Sequence, residues 1–174
     1  VVEKATELTN NLSKEFRTEL DARDNYTPGY KFNYWEMKGV PVRLEIGPRD
    51  IENNQCVLVR RDTLEKETVS LENINKRIAE LLEEIQKNMF KMAEENTKKK
   101  TTVAKTLGEF EKNINENQGY VKTMWCGSSE CEEKIHELTG AKSRCIPFNQ
   151  EHISDTCVCC GKPASKMVVW GRQY

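Results

Sequence analysis

Four cysteines in two closely spaced pairs constrain this chain more than any other feature of its sequence. Cys126 and Cys131 have four residues between them, Cys157 and Cys160 have two, and 25 residues separate the pairs. Two such pairs, each closed by a short loop, are the usual ligand set of a tetrahedral zinc ion. The pattern therefore predicts a structural zinc site, because four protein ligands leave no position open for catalysis.

Disulfide bonds or unliganded thiols are the alternatives to a metal. Six of the seven cysteines follow residue 125, whereas a secreted disulfide scaffold favours an even and more widely spread set. Cys159 could replace Cys160, since Cys157 and Cys159 could also bring two sulfur atoms together. The spacing Cys-x-x-Cys-Gly-Lys is typical of zinc knuckles and favours Cys160.

The remaining cysteines and both histidines are assigned other roles. Cys145 stands in the apolar context Arg-Cys-Ile-Pro-Phe, which indicates a buried thiol. Cys56 lies inside a predicted strand and is expected to be a small core residue. His136 and His152 could bind a metal in principle, but with four well-spaced cysteines available we expect surface or structural positions for both.

The overall charge argues against a nonspecific nucleic-acid binder. The 174 residues carry a net charge of -1, with a sequence pI of about 6.3, whereas such binders are basic. Any RNA contact must therefore come from a few placed side chains. The sequence has no apolar run long enough to cross a bilayer and no signal-peptide pattern. It starts at Val1 rather than at a methionine, and we expect it to be part of a longer chain.

Hydrophobic periodicity divides the chain into three parts. Residues 1–71 combine an amphipathic helix, a short helix and three strands, which indicates an α/β domain. Residues 72–118 carry long helical stripes and are predicted to be a helical connector. Residues 119–174 indicate a small α+β domain around the cysteine pairs. The mean hydropathy of -0.75 is low for one compact globule, and a small second core usually needs a metal or disulfides.

One strand of the first part has a clearly two-sided pattern. Val42 and Leu44 alternate with Arg43 and Glu45. Because side chains alternate across a strand, the apolar pair is expected to face the core and the charged pair to point together from the opposite face.

Several segments resemble the prolyl-tRNA synthetases of the eukaryotic and archaeal type. Residues 28–50 (PGYKFNYWEMKGVPVRLEIGPRD) are similar to the anticodon-binding domain of that family, as is the later run VLVRRD. The tail segments GAKSRCIPF, CGKPA and the terminal GRQY resemble its extra zinc-binding domain. Many class II synthetases share an anticodon fold but not this tail, so the resemblance points to proline.

The resemblance implies an anticodon-binding α/β domain with a central mixed sheet of five strands, followed by a C-terminal zinc-binding domain. The domain of this family begins with a strand before its first helix. This chain begins within that helix, so the first strand is expected to be absent.

The resemblance also implies which residues contact tRNA. Proline anticodons carry two guanines, whose acceptors suit arginine and whose donors suit a carboxylate. Phe32 would stack on an unpaired base. Glu36 and Asp50 would accept hydrogen bonds from guanine edges, Arg43 would donate to a base, and Arg49 would donate to a base or a phosphate. A surface salt bridge is the alternative for each charge, and helix packing is the alternative for Phe32.

The expected function is that of a tRNA-recognition and zinc-binding fragment of a proline–tRNA ligase. The chain shows no class II catalytic signature, so it should be inactive alone, and ATP and Mg²⁺ would be needed only by the catalytic domain. The expected partners are proline tRNA and that catalytic domain, and no binding to membranes or DNA is expected. The parent protein is expected to be cytoplasmic and homodimeric. Tyr174 matches a terminal residue that lies near the active site in the family. The alternative is a non-catalytic tRNA-binding or structural zinc module, including the tail of a fused glutamyl-prolyl synthetase.

Overall fold

The computed structural model describes residues 1–173 and has a mixed α/β fold, as predicted. Two compact units are present, Val1–Lys91 and Met92–Tyr174, and the boundary between them falls within a long helix. Among the described residues no helix is both long and apolar enough to cross a membrane. In chain order the elements are α1 (Val2–Leu12), α2 (Pro28–Met37), β1 (Val42–Glu45), α3 (Pro48–Glu52), β2 (Gln55–Arg60), β3 (Lys66–Ser70), α4 (Ile74–Lys99), β4 (Thr101–Val103), α5 (Leu107–Asn117), β5 (Tyr120–Trp125), α6 (Ser129–Thr139), β6 (Ala141–Cys145) and β7 (Lys166–Arg172).

The first unit contains a three-stranded antiparallel sheet in the order β1-β2-β3. The family resemblance implied five strands, and the described residues of this unit form three. The long irregular stretch between α1 and α2 adds no strand to them. The resemblance also implied a mixed sheet for this unit, whereas its described strands are all antiparallel; a separate mixed sheet lies in the second unit.

The two faces of the first sheet have different chemistry. Leu44 lies opposite Leu58 in the β1–β2 ladder, and this face packs on α1 and α4 around Leu12, Ile78 and Leu81. The opposite face carries the charged side chains of β1, as the alternation predicted, and they hydrogen-bond to each other. A row of charged groups on a rigid sheet is therefore held away from the core.

The second unit is built on a mixed sheet in the order β4-β5-β7-β6, in which β4 pairs with β5 in parallel and the other pairs are antiparallel. Trp170 of β7 is fully buried and meets Phe110 of α5 and Trp125 of β5 edge-on, with ring centroids 6.0 and 6.4 Å away. Its indole N–H donates to the buried Thr123 hydroxyl at 3.0 Å. This cluster forms the core on which the cysteine-bearing loops rest.

The segment predicted as a helical connector contains a strand as well as two helices. The lysine triplet at the end of α4 is followed by β4, whose Thr101 lies beside Tyr120. The close approach of Lys100 to Gly119 makes this pairing possible. A Cβ built on Gly119 would lie 2.0 Å from the Lys100 carbonyl oxygen, so only glycine fits there.

Asp62, in the turn after β2, stabilises the first unit in a pH-dependent way. Its side chain is 4% exposed and accepts hydrogen bonds from Arg60 Nε and Nη2 at 3.0 and 2.8 Å and from Asn88 at 2.7 Å. Hydrogen bonds from Arg60, with help from Asn88, lower the pKa of Asp62 from 3.8 to about 2.

We therefore expect the stability of the first unit to fall as the pH is lowered from about 4 towards 2. The folded-state pKa lies below the unfolded one, so the contribution is complete above the unfolded pKa and is lost as the pH falls through the folded pKa. Asp62→Asn should cost about 2 kcal/mol at neutral pH and should flatten this acid dependence. Thermal unfolding from pH 2 to 7 measures both, with the exposed Asp24→Asn as control. Parallel curves for wild type and Asp62→Asn would contradict the assignment.

A candidate metal centre and a candidate nucleic-acid interface

Two loops of the second unit bring the four predicted ligand cysteines together. Cys126 follows the end of β5, and the next residue, Gly127, has a φ of +90°, which turns the chain towards α6. Cys131 lies in the first turns of α6 and is 7% exposed. Cys157 and Cys160 occupy a tight turn closed by the bridge between Thr156 and Pro163. The Sγ atoms of the four cysteines all lie within 4.8 Å of one another.

Backbone hydrogen bonds hold the second loop against the first. The Val158 N–H donates to the Met124 carbonyl on β5 at 3.0 Å, while the Val158 side chain is buried in the core. Within the turn, the Gly161 N–H donates to the Cys157 carbonyl at 2.9 Å, and the Cys157 N–H donates to the Lys162 carbonyl at 2.8 Å. The relative position of the two cysteine pairs is therefore set by backbone contacts as well as by any ion.

The sulfur positions fit a tetrahedral ion and exclude disulfide bonds. The Sγ of Cys126 lies 3.6 Å from that of Cys131 and 3.8 Å from that of Cys160. A zinc ion with sulfur ligands at about 2.3 Å places neighbouring sulfurs about 3.8 Å apart, whereas a disulfide requires about 2.05 Å. All seven cysteines are free. The cluster could hold a metal ion.

The surroundings of the four thiols are unequal. Burial raises the pKa of Cys131, so its thiolate needs a cation to be stable. The backbone N–H of Lys162 lowers the pKa of Cys160 to about 7. A thiolate at Cys160 therefore forms readily near neutral pH, and a bound cation would stabilise the remaining thiolates.

The other candidate ligands lie outside this group. Cys159 is half-buried against the core of the second unit, and Cys145, predicted to be buried, is exposed at the end of β6. β6 is the edge strand of the second sheet, and only its first residue, Ala141, is buried, so Cys145 at its end is exposed. Cys56 is fully buried as predicted, and burial raises the pKa of its thiol to about 11. His152 lies 3.0 Å from Asp155. Within residues 1–173 the metal-binding group consists of cysteines alone.

Three of the five predicted RNA-contacting residues meet in the first unit, and we call Phe32, Glu36 and Arg43 the Arg43 cluster. Phe32 and Glu36 lie four residues apart on α2, so they share one face of that helix. The Arg43 guanidinium carbon lies 4.0 Å from the centre of the Phe32 ring, and Arg43 Nη1 donates to Glu36 Oε1. One face of the Phe32 ring is therefore covered by Arg43.

Glu45, Lys66 and Arg61 surround this cluster and were not singled out from the sequence as contacts. Arg43 Nε donates to Glu45 Oε1 at 2.9 Å, and Lys66 Nζ lies 3.3 Å from Glu45 Oε2. Arg61 Nε donates to the Glu36 carbonyl at 2.8 Å and ties the end of α2 to the sheet. The alternation along β1 predicted that Glu45 shares a face with Arg43, although not that it holds Arg43, whereas the position of Lys66 requires knowledge of the strand pairing.

Arg49 and Asp50 lie on α3, directly after β1. Arg49 is exposed, and its guanidinium has no hydrogen-bond or ion-pair partner among the described residues. The Asp50 carboxylate accepts a hydrogen bond from the Gly47 N–H at 2.8 Å and another from Gln55 at 3.4 Å. Asp50 thus caps the N-terminus of its own helix. The part of the chain that the structure describes shows no direct contact between these two side chains and the Arg43 cluster. Tyr174 lies outside the described residues.

Comparisons with known proteins agree with both halves of this architecture. Residues 1–81 match a family described as an anticodon binding domain, and residues 107–174 match the C-terminal domain of prolyl-tRNA synthetase. All 174 residues align with proline–tRNA ligase of Ruminiclostridium cellulolyticum at 53% identity and with that of Clostridium novyi at 52%. Proline–tRNA ligase 2 of Bacillus thuringiensis is 51% identical over the same length. The chain spans 36% of the length of each of these relatives.

These relatives come from bacteria, which corrects the expectation of a eukaryotic or archaeal type. The segments on which that expectation rested belong to the anticodon-binding and C-terminal modules, and the bacterial ligases match over both. The chain is therefore similar to an anticodon-binding domain in its first part and to the C-terminal domain of prolyl-tRNA synthetase in its second part, and these bacterial ligases align with it across both.

Proposed function

We propose that this chain reads the anticodon of proline tRNA for a proline–tRNA ligase, and that its second unit is held together by one structural zinc ion. In this proposal the first unit supplies RNA recognition, with Phe32, Glu36, Arg43, Arg49 and Asp50 as the contacting residues. The second unit supplies a stable tail to the ligase. Activation of proline with ATP and Mg²⁺ is assigned to the catalytic part of the parent ligase. The parent acts as a cytoplasmic homodimer, and Tyr174 contacts its catalytic part.

The arrangement around Arg43 is the observation that carries the RNA-binding part of the proposal. Guanine presents O6 and N7 acceptors and N1–H and N2–H donors. Arg43 and Glu36 offer the complementary donor and acceptor side by side, next to an aromatic ring. The side chain of Arg43 is 18% exposed and that of Glu36 is 31% exposed. Guanidinium planes and aromatic rings are the surfaces on which unpaired RNA bases stack, and Arg49 is available for a phosphate or a base.

The four cysteines support the zinc part of the proposal. Cys126, Cys131, Cys157 and Cys160 would bind the ion as thiolates at the sulfur spacing already present. Zinc would cross-link two loops that are distant in sequence and supply folding free energy, without a free coordination position for chemistry. The protein residues set the spacing through the Val158–Met124 hydrogen bond and the turn around Gly161.

RNA binding can be tested with the 174-residue chain and anticodon stem–loops of proline tRNA at one fixed salt concentration, because phosphate contacts depend strongly on salt. The cognate stem–loop should bind more tightly than one in which both anticodon guanines are changed to adenine. Arg43→Ala should reduce this discrimination by about 1–3 kcal/mol, which corresponds to roughly 5- to 150-fold. The matched control is Arg77→Ala, which removes an arginine of the same unit that is paired with Glu67 and Glu84.

Two outcomes would overturn the assignment. Equal binding of the guanine and adenine stem–loops by wild-type protein would mean that only phosphates are contacted. A similar loss of discrimination in Arg43→Ala and in Arg77→Ala would mean that Arg43 acts through its charge alone.

A structural module without RNA affinity is the second candidate function. The net charge of -1 favours it, as does the neutralisation of Arg43 by two carboxylates. In that case neither stem–loop would bind at physiological salt, while zinc would still be required for the second unit to fold.

A further inference from the structure

We propose that Glu45 is the positioning residue that holds Arg43 ready to bind guanine. In this inference, which rests on the proposed function, the Glu36 carboxylate gives up its hydrogen bond with Arg43 and binds the guanine base instead. Arg43 contacts both carboxylates in the free protein. Its Nε donates to Glu45 Oε1 at 2.9 Å, and its Nη1 donates to Glu36 Oε1. A guanine that binds Glu36 through N1–H and N2–H must compete with Arg43 for that carboxylate.

Glu45 is the more permanent of the two partners. Glu45 and Arg43 lie two residues apart on β1, on the same face of the sheet, so no motion of another element can separate them. Lys66 of β3 holds the Glu45 carboxylate from the other side, with Nζ 3.4 and 3.3 Å from its two oxygens. Glu36 sits on α2, and Arg43 is the hydrogen-bond partner of its carboxylate within the described residues.

The atoms that Glu45 uses on Arg43 leave the recognition edge open. A guanidinium has five N–H donors, and Glu45 accepts from Nε alone. When Glu36 turns to the base, both Nη groups become available for O6 or N7 of guanine. Without Glu45, the guanidinium would have to be ordered at the moment of binding, which costs affinity through lost side-chain freedom.

Lys66 makes this arrangement compatible with RNA. A second carboxylate beside Arg43 would by itself give the site an excess negative charge and repel phosphates. With Lys66 included, the four groups Glu36, Arg43, Glu45 and Lys66 sum to zero formal charge. Glu45 can therefore orient Arg43 without making the surface more acidic than it would be with the Arg43–Glu36 pair alone.

The test measures binding of the cognate and adenine-substituted stem–loops to the 174-residue chain carrying Glu45→Ala or Glu45→Gln. Glu45→Ala should weaken cognate binding about fivefold to tenfold and leave binding of the adenine stem–loop unchanged. Glu45→Gln keeps an acceptor for Arg43 Nε and should restore most of the loss. Glu67→Ala is the matched control, since Glu67 pairs with Arg77 through two contacts, at 2.8 and 3.1 Å, on the same sheet but outside the site.

The double variant Arg43→Ala with Glu45→Ala separates positioning from a merely structural role. If Glu45 acts through Arg43, the double variant binds like Arg43→Ala alone, because coupled residues are not additive. Additive losses, or the same loss in Glu67→Ala, would overturn the inference. Tighter binding of both stem–loops by Glu45→Ala would also overturn it, since it would show that the carboxylate only repels phosphates.

The same measurements distinguish this inference from the proposed function. If Arg43→Ala abolishes discrimination while Glu45→Ala has no effect, anticodon reading stands and the positioning role falls. If Arg43→Ala has no effect, both fall together. Thermal unfolding of each variant checks the fold, and Glu45→Gln carries the test if Glu45→Ala is unstable.

Discussion

Replacement of one of the four clustered cysteines, the proposed zinc ligands, is expected to unfold the second unit and to leave the unfolding of the first unit unchanged. Cys126→Ser removes one of the proposed ligands, at the junction of β5 and α6. Structural zinc sites contribute about 10 kcal/mol or more of apparent binding free energy, which is also folding free energy. That exceeds the total stability of most small domains. A chelator should have the same effect on the wild-type chain.

Metal analysis and thermal unfolding together measure this result. Wild-type protein should contain one zinc ion per chain, and Cys126→Ser should contain none and lose the transition of the second unit. Cys145→Ser is the matched control, since Cys145 is exposed and lies outside the group. Full zinc content in Cys126→Ser, or no zinc in carefully prepared wild-type protein, would contradict the proposed centre.

Trp170→Ala is expected to destabilise the second unit by about 4 kcal/mol. Trp170 is fully buried, packs edge-on against Phe110 and Trp125, and donates its indole N–H to Thr123. Truncation leaves a large cavity and a buried hydroxyl without its partner, and both are costly. Trp125 immediately precedes Cys126, so looser packing there should also weaken zinc retention.

Chemical denaturation of the zinc-loaded chain measures the first effect, and competition with a chelator measures the second. Trp170→Phe keeps an aromatic ring and removes the hydrogen bond, so it should cost less, about 1–3 kcal/mol. Phe148→Ala is the control for an aromatic residue of the same unit, because Phe148 is fully exposed. A loss below about 1 kcal/mol in Trp170→Ala would show that the core repacks around the gap.

The cysteine cluster shows how much of the candidate metal site can be predicted from residue spacing alone. The two cysteine pairs are visible as short intervals, and such intervals are local properties of a chain. The choice between Cys159 and Cys160 depends on which sulfur turns towards Cys126. In the structure Cys160 joins the group while Cys159 packs on the core. That orientation follows from the turn closed at Gly161 and from the hydrogen bond to Met124, which lies far away in sequence.

For the Arg43 cluster too, the sequence predicted one part of the geometry and the tertiary structure decided the rest. The alternation along β1 was enough to predict that Arg43 and Glu45 share a face, and the structure confirms this prediction. The contacts with Phe32 and Glu36 depend on how α2 lies beside β1. The contact of Lys66 with Glu45 depends on the register of β3 in the sheet.

By itself, the sequence determined most strands and the helices other than the short α3, the two-sided character of β1, and the spacing of four candidate ligands. Each of these depends on neighbours within a few positions, where hydrophobic period and loop length act directly. Only the tertiary structure decided that Thr101–Val103 forms a parallel strand beside β5, that Cys145 is exposed, and that Arg43 is shared between two carboxylates. These depend on contacts between residues distant in sequence, whose geometry is set by sheet register and by packing of the cores.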